Sequence, residues 1–174
     1  GLFLSLAGMF DAVAFGFHNF VEYDRLIPIL YELRKEFTDY PSREIEARMV
    51  GSMLYAIYAR QPQHPDLGYW MSRGSALAKS ISDVDGRARI LLMLALIPLY
   101  AGELEKTALI FDSFRAAAMT RQVTPSALVI LRDLEANYSW LAAEFDKNRK
   151  ATDEGIALAD ATGVHALDIF ILGN

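Results

Sequence analysis

The 174-residue chain contains no cysteine. That excludes disulfide staples and thiolate metal sites, and makes a reducing cytoplasm the expected setting. Histidine is scarce, with 3 copies, and His18, His64 and His165 all fall at expected helix ends, so no Ser/His/Asp set can be assembled from them. A positive surplus is also missing. The chain carries 17 Lys and Arg against 22 Asp and Glu, a net charge of -5, which gives no field for a phosphate backbone; direct binding of nucleic acid by this piece is not expected. No glycine-rich loop ends in Gly-Lys-Ser/Thr, and Gly8, Gly16, Gly51, Gly68 and Gly74 lie scattered in helical patterns without a preceding strand. A phosphate cradle and a dinucleotide fingerprint are therefore absent, no cofactor is expected, and close helix packing is the role assigned to these glycines.

One long apolar run, residues 1–17, lacks a basic leader and carries Asp11 in its middle. It reads as a buried helix rather than a signal peptide or a membrane span. The pattern is already helical at Gly1 and still helical near Asn174, so the sequence reads as a piece excised from a larger protein.

With 53% hydrophobic residues the composition is ample for a packed core. The organising stretch is 86–121, two helices folded back at Ala101-Gly102. Before the break, Ile90, Leu91, Leu94, Ile97 and Leu99 make a helix apolar nearly all round, with a bend expected at Pro98. After it, Leu104, Ala108, Phe111 and Phe114 recur at helical spacing opposite Glu105, Lys106, Asp112 and Arg115, the signature of an amphipathic helix. The same alternation runs along the chain. Leu2 starts a first helix expected to reach about Asn19, and a second follows from near Glu22, with Pro28 placed early enough to be tolerated. Tyr40-Pro41-Ser42 is a boundary with Ser42 as cap, and 61–65 is a proline loop. Thr124-Pro125 opens a helix expected to run to about Phe145, and Gly163 closes the next.

Amphipathic helices thus begin near Asp24, Asp66, Glu103 and Asp146, a recurrence of about 40 residues, and no strand signal interrupts them. The expected fold is all-α. It is a right-handed α-solenoid of about four antiparallel helical hairpins, tetratricopeptide-like with a longer repeat, forming a single helical-repeat domain over 1–174. The approximate repeats are 1–39, 42–82, 85–121 and 124–163, with a truncated helix at 164–174.

Tyr100-Ala101-Gly102-Glu103-Leu104 resembles the tetratricopeptide corner, and Glu154-Gly155-Ile156-Ala157-Leu158-Ala159 with Gly163-Val164-His165 is similar to a hairpin end of one group of proteins. That group is the large bacterial ATP-dependent transcriptional regulators around the maltose-regulon activator, and related multidomain signalling ATPases. Asp66-Leu67, Trp70 and Ala76-Leu77-Ala78 resemble its outer helices. Thr107 departs from the pattern where a small Ala is usual, and Ala108 is expected to take its role. The resemblance implies a sensor or scaffold region, with ATP hydrolysis and DNA binding left to other domains.

Sites with reactive chemistry find little support. His18 and Glu22 stand four apart, but the helix ends between them and no third metal ligand is evident. Asp83-Val84-Asp85-Gly86 opens like a calcium loop without its later oxygen ligands, and Asp85 reads as a helix cap. Asp133 with Glu135, and Asp153 with Glu154, read as solvated neighbours on helix surfaces. No catalytic or metal residue is assigned.

The candidate partner-binding residues are Arg48, Arg89 and Arg132, about one repeat apart on successive inner helices, together with Tyr55. An arginine ladder on the concave wall would grip an acidic peptide or a phosphate-bearing ligand. The competing reading pairs those arginines with Glu44, Glu46, Asp85 or Asp133, and makes Tyr55, Tyr58 and Tyr138 core residues. The expected function is a non-enzymatic protein-interaction or ligand-sensing scaffold from a bacterial transcription regulator or signal-transduction protein. Its partner would be a protein or peptide, other domains of the same chain, or a small-molecule inducer, with neither membrane nor direct nucleic acid. The alternative is a helical-bundle enzyme with a buried pocket. Uncapped apolar segments at 2–17 and 164–172 make a homodimer through the terminal helices a further expectation.

Overall fold

A computed structural model describes residues 1–16, 19–118, 123–165 and 167–173. Among these residues the structure is all-helical, with no strand. The helices are α1 (Leu2–Gly16), α2 (Tyr23–Glu36), α3 (Arg43–Arg60), α4 (Leu67–Ser80), α5 (Val84–Tyr100), α6 (Leu104–Ala118), α7 (Pro125–Leu141), α8 (Phe145–Thr162) and α9 (Asp168–Gly173), and a 3-10 turn at Phe20–Glu22 leads into α2. The chain divides into two compact units, Gly1–Met93 and Leu94–Asn174, with the border inside α5.

In the first unit α1 packs on α2 and α3, and α3 on α2 and α4. The core forms where large apolar side chains of these helices meet. Phe10 and Tyr23 are fully buried with ring centroids 5.6 Å apart, and the Tyr23 hydroxyl donates to the Phe10 carbonyl at 3.2 Å, so the ring is buried without an orphaned polar atom. Ser42 caps α3 as expected, accepting from the Ile45 amide at 3.3 Å. At the far end of α3, Arg60 grips Asp24 through Nε and Nη2, and these hydrogen bonds hold the Asp24 carboxyl below its ordinary range.

Trp70 is 1% exposed and meets Tyr31 and Arg34 of α2. Its Nε1–H donates to the Tyr31 hydroxyl at 3.1 Å, which in turn donates to Asp66 at 2.5 Å, and Arg34 stands 5.7 Å above its ring. Pro28 does not sit in a first turn. It lies inside α2, where it deprives the Asp24 carbonyl of its usual amide partner.

In the second unit α6 packs on α7, and α8 and α9 pack on α7. The helix expected to run to Phe145 stops at Leu141, because Ala143 turns left-handed at φ 58. That turn repeats the one at Gly102, whose φ is 81. In the earlier turn the Gly102 and Glu103 amides donate to Leu99 and Pro98 at 3.0 and 2.9 Å; in the later one the Ala143 and Glu144 amides donate to Trp140 and Ser139 at 3.0 and 2.8 Å. Both are Schellman motifs, in which crossed amide bonds satisfy the last helical carbonyls. The following residues match as well. Lys106 pairs with Glu103 and Lys147 with Glu144, each at 2.8 Å. Thr107 Oγ1 donates toward the Ala95 carbonyl at 3.4 Å and Asn148 Nδ2 to the Ala136 carbonyl at 3.0 Å. Every member of the second set lies 41 residues after its counterpart. Thr107 itself is fully buried while Ala108 is half-buried, so the threonine fills the packing position expected of Ala108.

Gly163 ends α8 in the left-handed region at φ 73, as its position predicts. Close packing does not account for Gly8 or Gly68, around which a Cβ would meet nothing within 4 Å. Gly155 is where close approach is needed, since a Cβ there would stand 3.2 Å from both Arg132 Cβ and Ile171. The expectation that the terminal segments lie open is half met. Phe3, Phe10 and Ile171 are buried, whereas Leu2, Leu4, Met9, Phe15 and Leu172 are exposed.

Candidate functional site

The site is built on Asp11, the only charged residue of α1. Its carboxylate accepts from Arg48 Nε at 3.1 Å and Nη2 at 2.8 Å, from Ser52 Oγ at 3.1 Å, and from Arg89 Nη2 at 3.1 Å. Arg48 and Ser52 share a face of α3, being four residues apart, and Arg89 comes from α5. The Asp11 side chain is 14% exposed while those of Arg48 and Arg89 are 40% and 41% exposed. The carboxylate is thus covered by donors and the two guanidiniums still reach solvent. Arg89 also stands 5.8 Å over the ring of Phe15, one turn beyond Asp11 on α1.

Beside this cluster runs a groove of about 250 Å³. Arg48 and Arg89 line it together with the apolar or small Leu4, Ile45, Ala47 and Gly51. Glu44, Asp83, Asp85 and Gly86 complete it. Asp83, not Asp85, caps α5: its Oδ1 accepts from the Asp85 amide at 3.2 Å. A Cβ on Gly86 would fall 2.5 Å from Asp83 Oδ2, so the missing side chain leaves that carboxylate its seat. Glu44 lies in the first turn of α3, where hydrogen bonds from its own amide and from Ser42 hold its carboxyl below the ordinary range.

Three of the four candidate residues, Arg48, Tyr55 and Arg89, lie in the first unit, and Tyr55 stands apart in an aromatic cluster. Arg48 and Arg89 come together on Asp11, and they stand 41 residues apart, as do Glu44 and Asp85. The same step from Arg89 lands on Ile130, so the ladder has two rungs. Arg132 lies in the other unit and pairs with Glu135 and Glu154, as Arg115 does with Glu135. Tyr55 belongs to an aromatic cluster, 6.3 Å from Phe20 and 6.4 Å from Tyr23, and burial pushes its hydroxyl pKa up. The partners of the arginines are Asp11, Glu135 and Glu154 in place of Glu44, Glu46, Asp85 and Asp133. Glu46 pairs with Arg73.

Asp133 is not a solvated carboxylate. It is 3% exposed, accepts from Asn137 Nδ2 at 3.1 Å, and burial pushes its pKa up to about 7. Asn137 in turn accepts from the Tyr100 hydroxyl at 2.8 Å. Sequence reasoning passed over this network, and it treated Asp11 only as an interruption in an apolar run. The available signal for Asp11 was a lone carboxylate on an otherwise uncharged helix, which needs a cation from another helix.

His64 Nδ1 accepts from the Asp66 amide at 3.1 Å and its ring stacks on Tyr31. His165 faces Asp168 at 2.9 Å. His18 lies outside the described residues, as do Phe17 and Arg121 at the ends of expected helices, while Glu22 is described and pairs with Arg25 at 3.0 Å. Among the described residues no group of three His, Asp or Glu side chains is placed to hold a metal ion, and no helix is long and apolar enough to cross a membrane. Comparisons of the chain with protein-family models, with curated proteins and with solved structures find no match.

Proposed function

We propose that this chain is a segment of a right-handed α-solenoid that acts as a non-enzymatic binding scaffold, and that the groove bordered by Arg48 and Arg89 recognises an acid-bearing partner. The observation that carries the reading is the repetition of Glu44 and Arg48 of α3 by Asp85 and Arg89 of α5, both pairs opening on one groove. Two guanidiniums share the Asp11 carboxylate there, so N–H donors of both forks remain at that end of the groove for a second anion. The repeated Schellman turns support a repeat architecture, because the same backbone solution recurs at a fixed interval with the same buried anchor. The corner at Tyr100-Ala101-Gly102 and the hairpin end at Glu154-Gly155 favour the helical-repeat region of large bacterial ATP-dependent transcription regulators. In that setting the segment is a cytoplasmic sensor or interaction module.

The test is fluorescence polarisation with a labelled glutamate-rich 12-residue peptide, and a lysine-rich one as control, at low salt. Micromolar binding of the acidic peptide, weakened by salt and lost in Arg48→Glu and Arg89→Glu, is expected. Equal binding of both peptides, or binding indifferent to those substitutions, would remove the groove from the function.

A further inference from the structure

We infer that the groove beside Asp11 binds a small carboxylic acid with a short apolar tail, its carboxylate held by Arg48 and Arg89 and its tail laid along Leu4, Ile45 and Gly51. The inference rests on the groove being a recognition surface for acids, and it names which acid.

Asp11 prepares the end that takes the carboxylate. Arg48 gives Nε and Nη2 to Asp11, and Arg89 gives Nη2. Among the described residues Arg48 Nη1 and Arg89 Nε and Nη1 have no protein acceptor, and both side chains reach solvent. The Phe15 ring, 5.8 Å from the Arg89 guanidinium, steadies that side chain further. Two forks fixed by one shared anchor need little ordering when a second carboxylate arrives. Glu44 and Asp83 are engaged at the starts of α3 and α5, and Asp85 has a partner of its own, so recognition falls to the arginines and the apolar wall.

The wall comes from two helices. On α1, Leu4 precedes Asp11 by seven residues and shares its face, and Leu4 is 43% exposed. On α3, Ala47 and Gly51 are four residues apart on one face, beside Arg48. Gly51 is an independent sign that this space is meant to stay open. It lies well inside α3, where glycine is a poorer helix former than alanine. A Cβ there would meet only Ile90, at 3.7 Å, which is ordinary contact. Packing therefore does not require the glycine, and what the missing side chain leaves is open groove.

Size sets the length of the tail. The groove of about 250 Å³ falls below the roughly 300–1,000 Å³ of drug-sized pockets. At about 30 Å³ per water-sized group it holds on the order of eight such groups, the size of hexanoate. A bare carboxylate gains the free donors but leaves Leu4 and Ile45 in water. A neutral apolar molecule covers the wall and leaves the donors unused. An acid with a short tail engages both.

The experiment is an NMR titration of the intact chain with hexanoate, hexanamide and acetate, followed at the Ile45 and Gly51 amides and at the Nε–H signals of Arg48 and Arg89. Hexanoate is expected to bind with a dissociation constant of about 1 mM, and hexanamide and acetate at least tenfold more weakly. Gly51→Leu, which fills the groove, should weaken hexanoate at least fivefold, and an unchanged affinity there would overturn the inference. Gly51→Ala, for which there is room, should raise the urea midpoint; a lowered midpoint would show that packing needs the glycine and would overturn the inference as well. Acetate as tight as hexanoate would remove the tail, and hexanamide as tight would remove the carboxylate, each with the same result. If hexanoate moves no signal while the glutamate-rich peptide still binds through Arg48 and Arg89, the small-acid assignment falls and acid recognition stands. If neither binds, both fall.

Discussion

Gly102 and Ala143 occupy the same place in the same turn, 41 residues apart, and differ by one methyl group in a backbone conformation that disfavours it. Glycine takes φ 81 without cost, whereas alanine at φ 58 carries a left-handed penalty of roughly 1–2 kcal/mol. Ala143→Gly should therefore stabilise the chain by about 1 kcal/mol, the greater freedom of unfolded glycine taking back part of the gain. Gly102→Ala should destabilise it by a similar amount. Urea midpoints of the two variants at constant m-value decide this, and a loss of stability in Ala143→Gly would show that the turns are not equivalent.

The buried Trp70 joins α4 to Tyr31 on α2 by both ring contact and hydrogen bond. Trp70→Ala is expected to cost about 3–5 kcal/mol. Trp70→Phe keeps most of the volume and loses the Nε1–H donor, and should cost nearer 1–2 kcal/mol. Denaturant unfolding followed by far-ultraviolet circular dichroism gives both numbers; an unchanged midpoint in Trp70→Ala would contradict its burial.

Asp133 should make stability fall as pH rises. Its pKa of about 7 in the folded chain lies above the ordinary value of 3.8, so between those limits the folded state holds a proton that the unfolded state has released. Stability is then full below pH 4, declines toward pH 7 and levels off above it. The whole span is on the order of 4 kcal/mol. Asp133→Asn should flatten the profile and be more stable than the parent at pH 8. A parent profile that rises between pH 4 and 7 at this site, as judged by the difference from Asp133→Asn, would show the carboxylate to be ionised in the fold.

The exposed residues of α1 set the test for self-association. Leu2 and Met9 are 62% and 43% exposed, and their spacing of seven residues keeps them on one helix face, from which Phe15 is turned by about 120–140°. Light scattering at high concentration is expected to report a species larger than the monomer, reverting to monomer when Leu2 and Met9 are changed to Glu. Changing Phe3 or Phe10 instead would unfold the core and tell nothing about association, because both are buried.

Helix identity and most boundaries were legible because they are local. Apolar periodicity, the Ser42 and Thr124 caps and the glycines at 102 and 163 act within a turn or two of where they sit. The stop at Leu141 was illegible for a converse reason: Ala142-Ala143-Glu144 contains no residue that favours a turn, and the bonds that accompany it include one from Asn148, beyond the turn, back to Ala136. Spacing alone singles out the arginines. Spacing placed Arg48 and Arg89 in one register but could not separate Arg132, two positions off, from a third rung. Their true counter-ion was missed because Asp11 lies on a helix whose remaining residues are uncharged, far from either arginine in sequence.

The hydrogen bond from Arg89 to Asp11 closes a loop of 78 residues. In an ideal repeat array each module touches only its neighbours, so unfolding can begin at one end and travel inward one module at a time. Here α1 is tied to α3 and, past it, to α5 through one carboxylate. Fraying of the first helix would release two arginines from a single partner at once, which couples the opening of α1 to the loosening of α3 and α5. The amides of these three helices should therefore exchange with deuterium as a single cooperative group, while Asp11→Asn should let α1 open ahead of the other two.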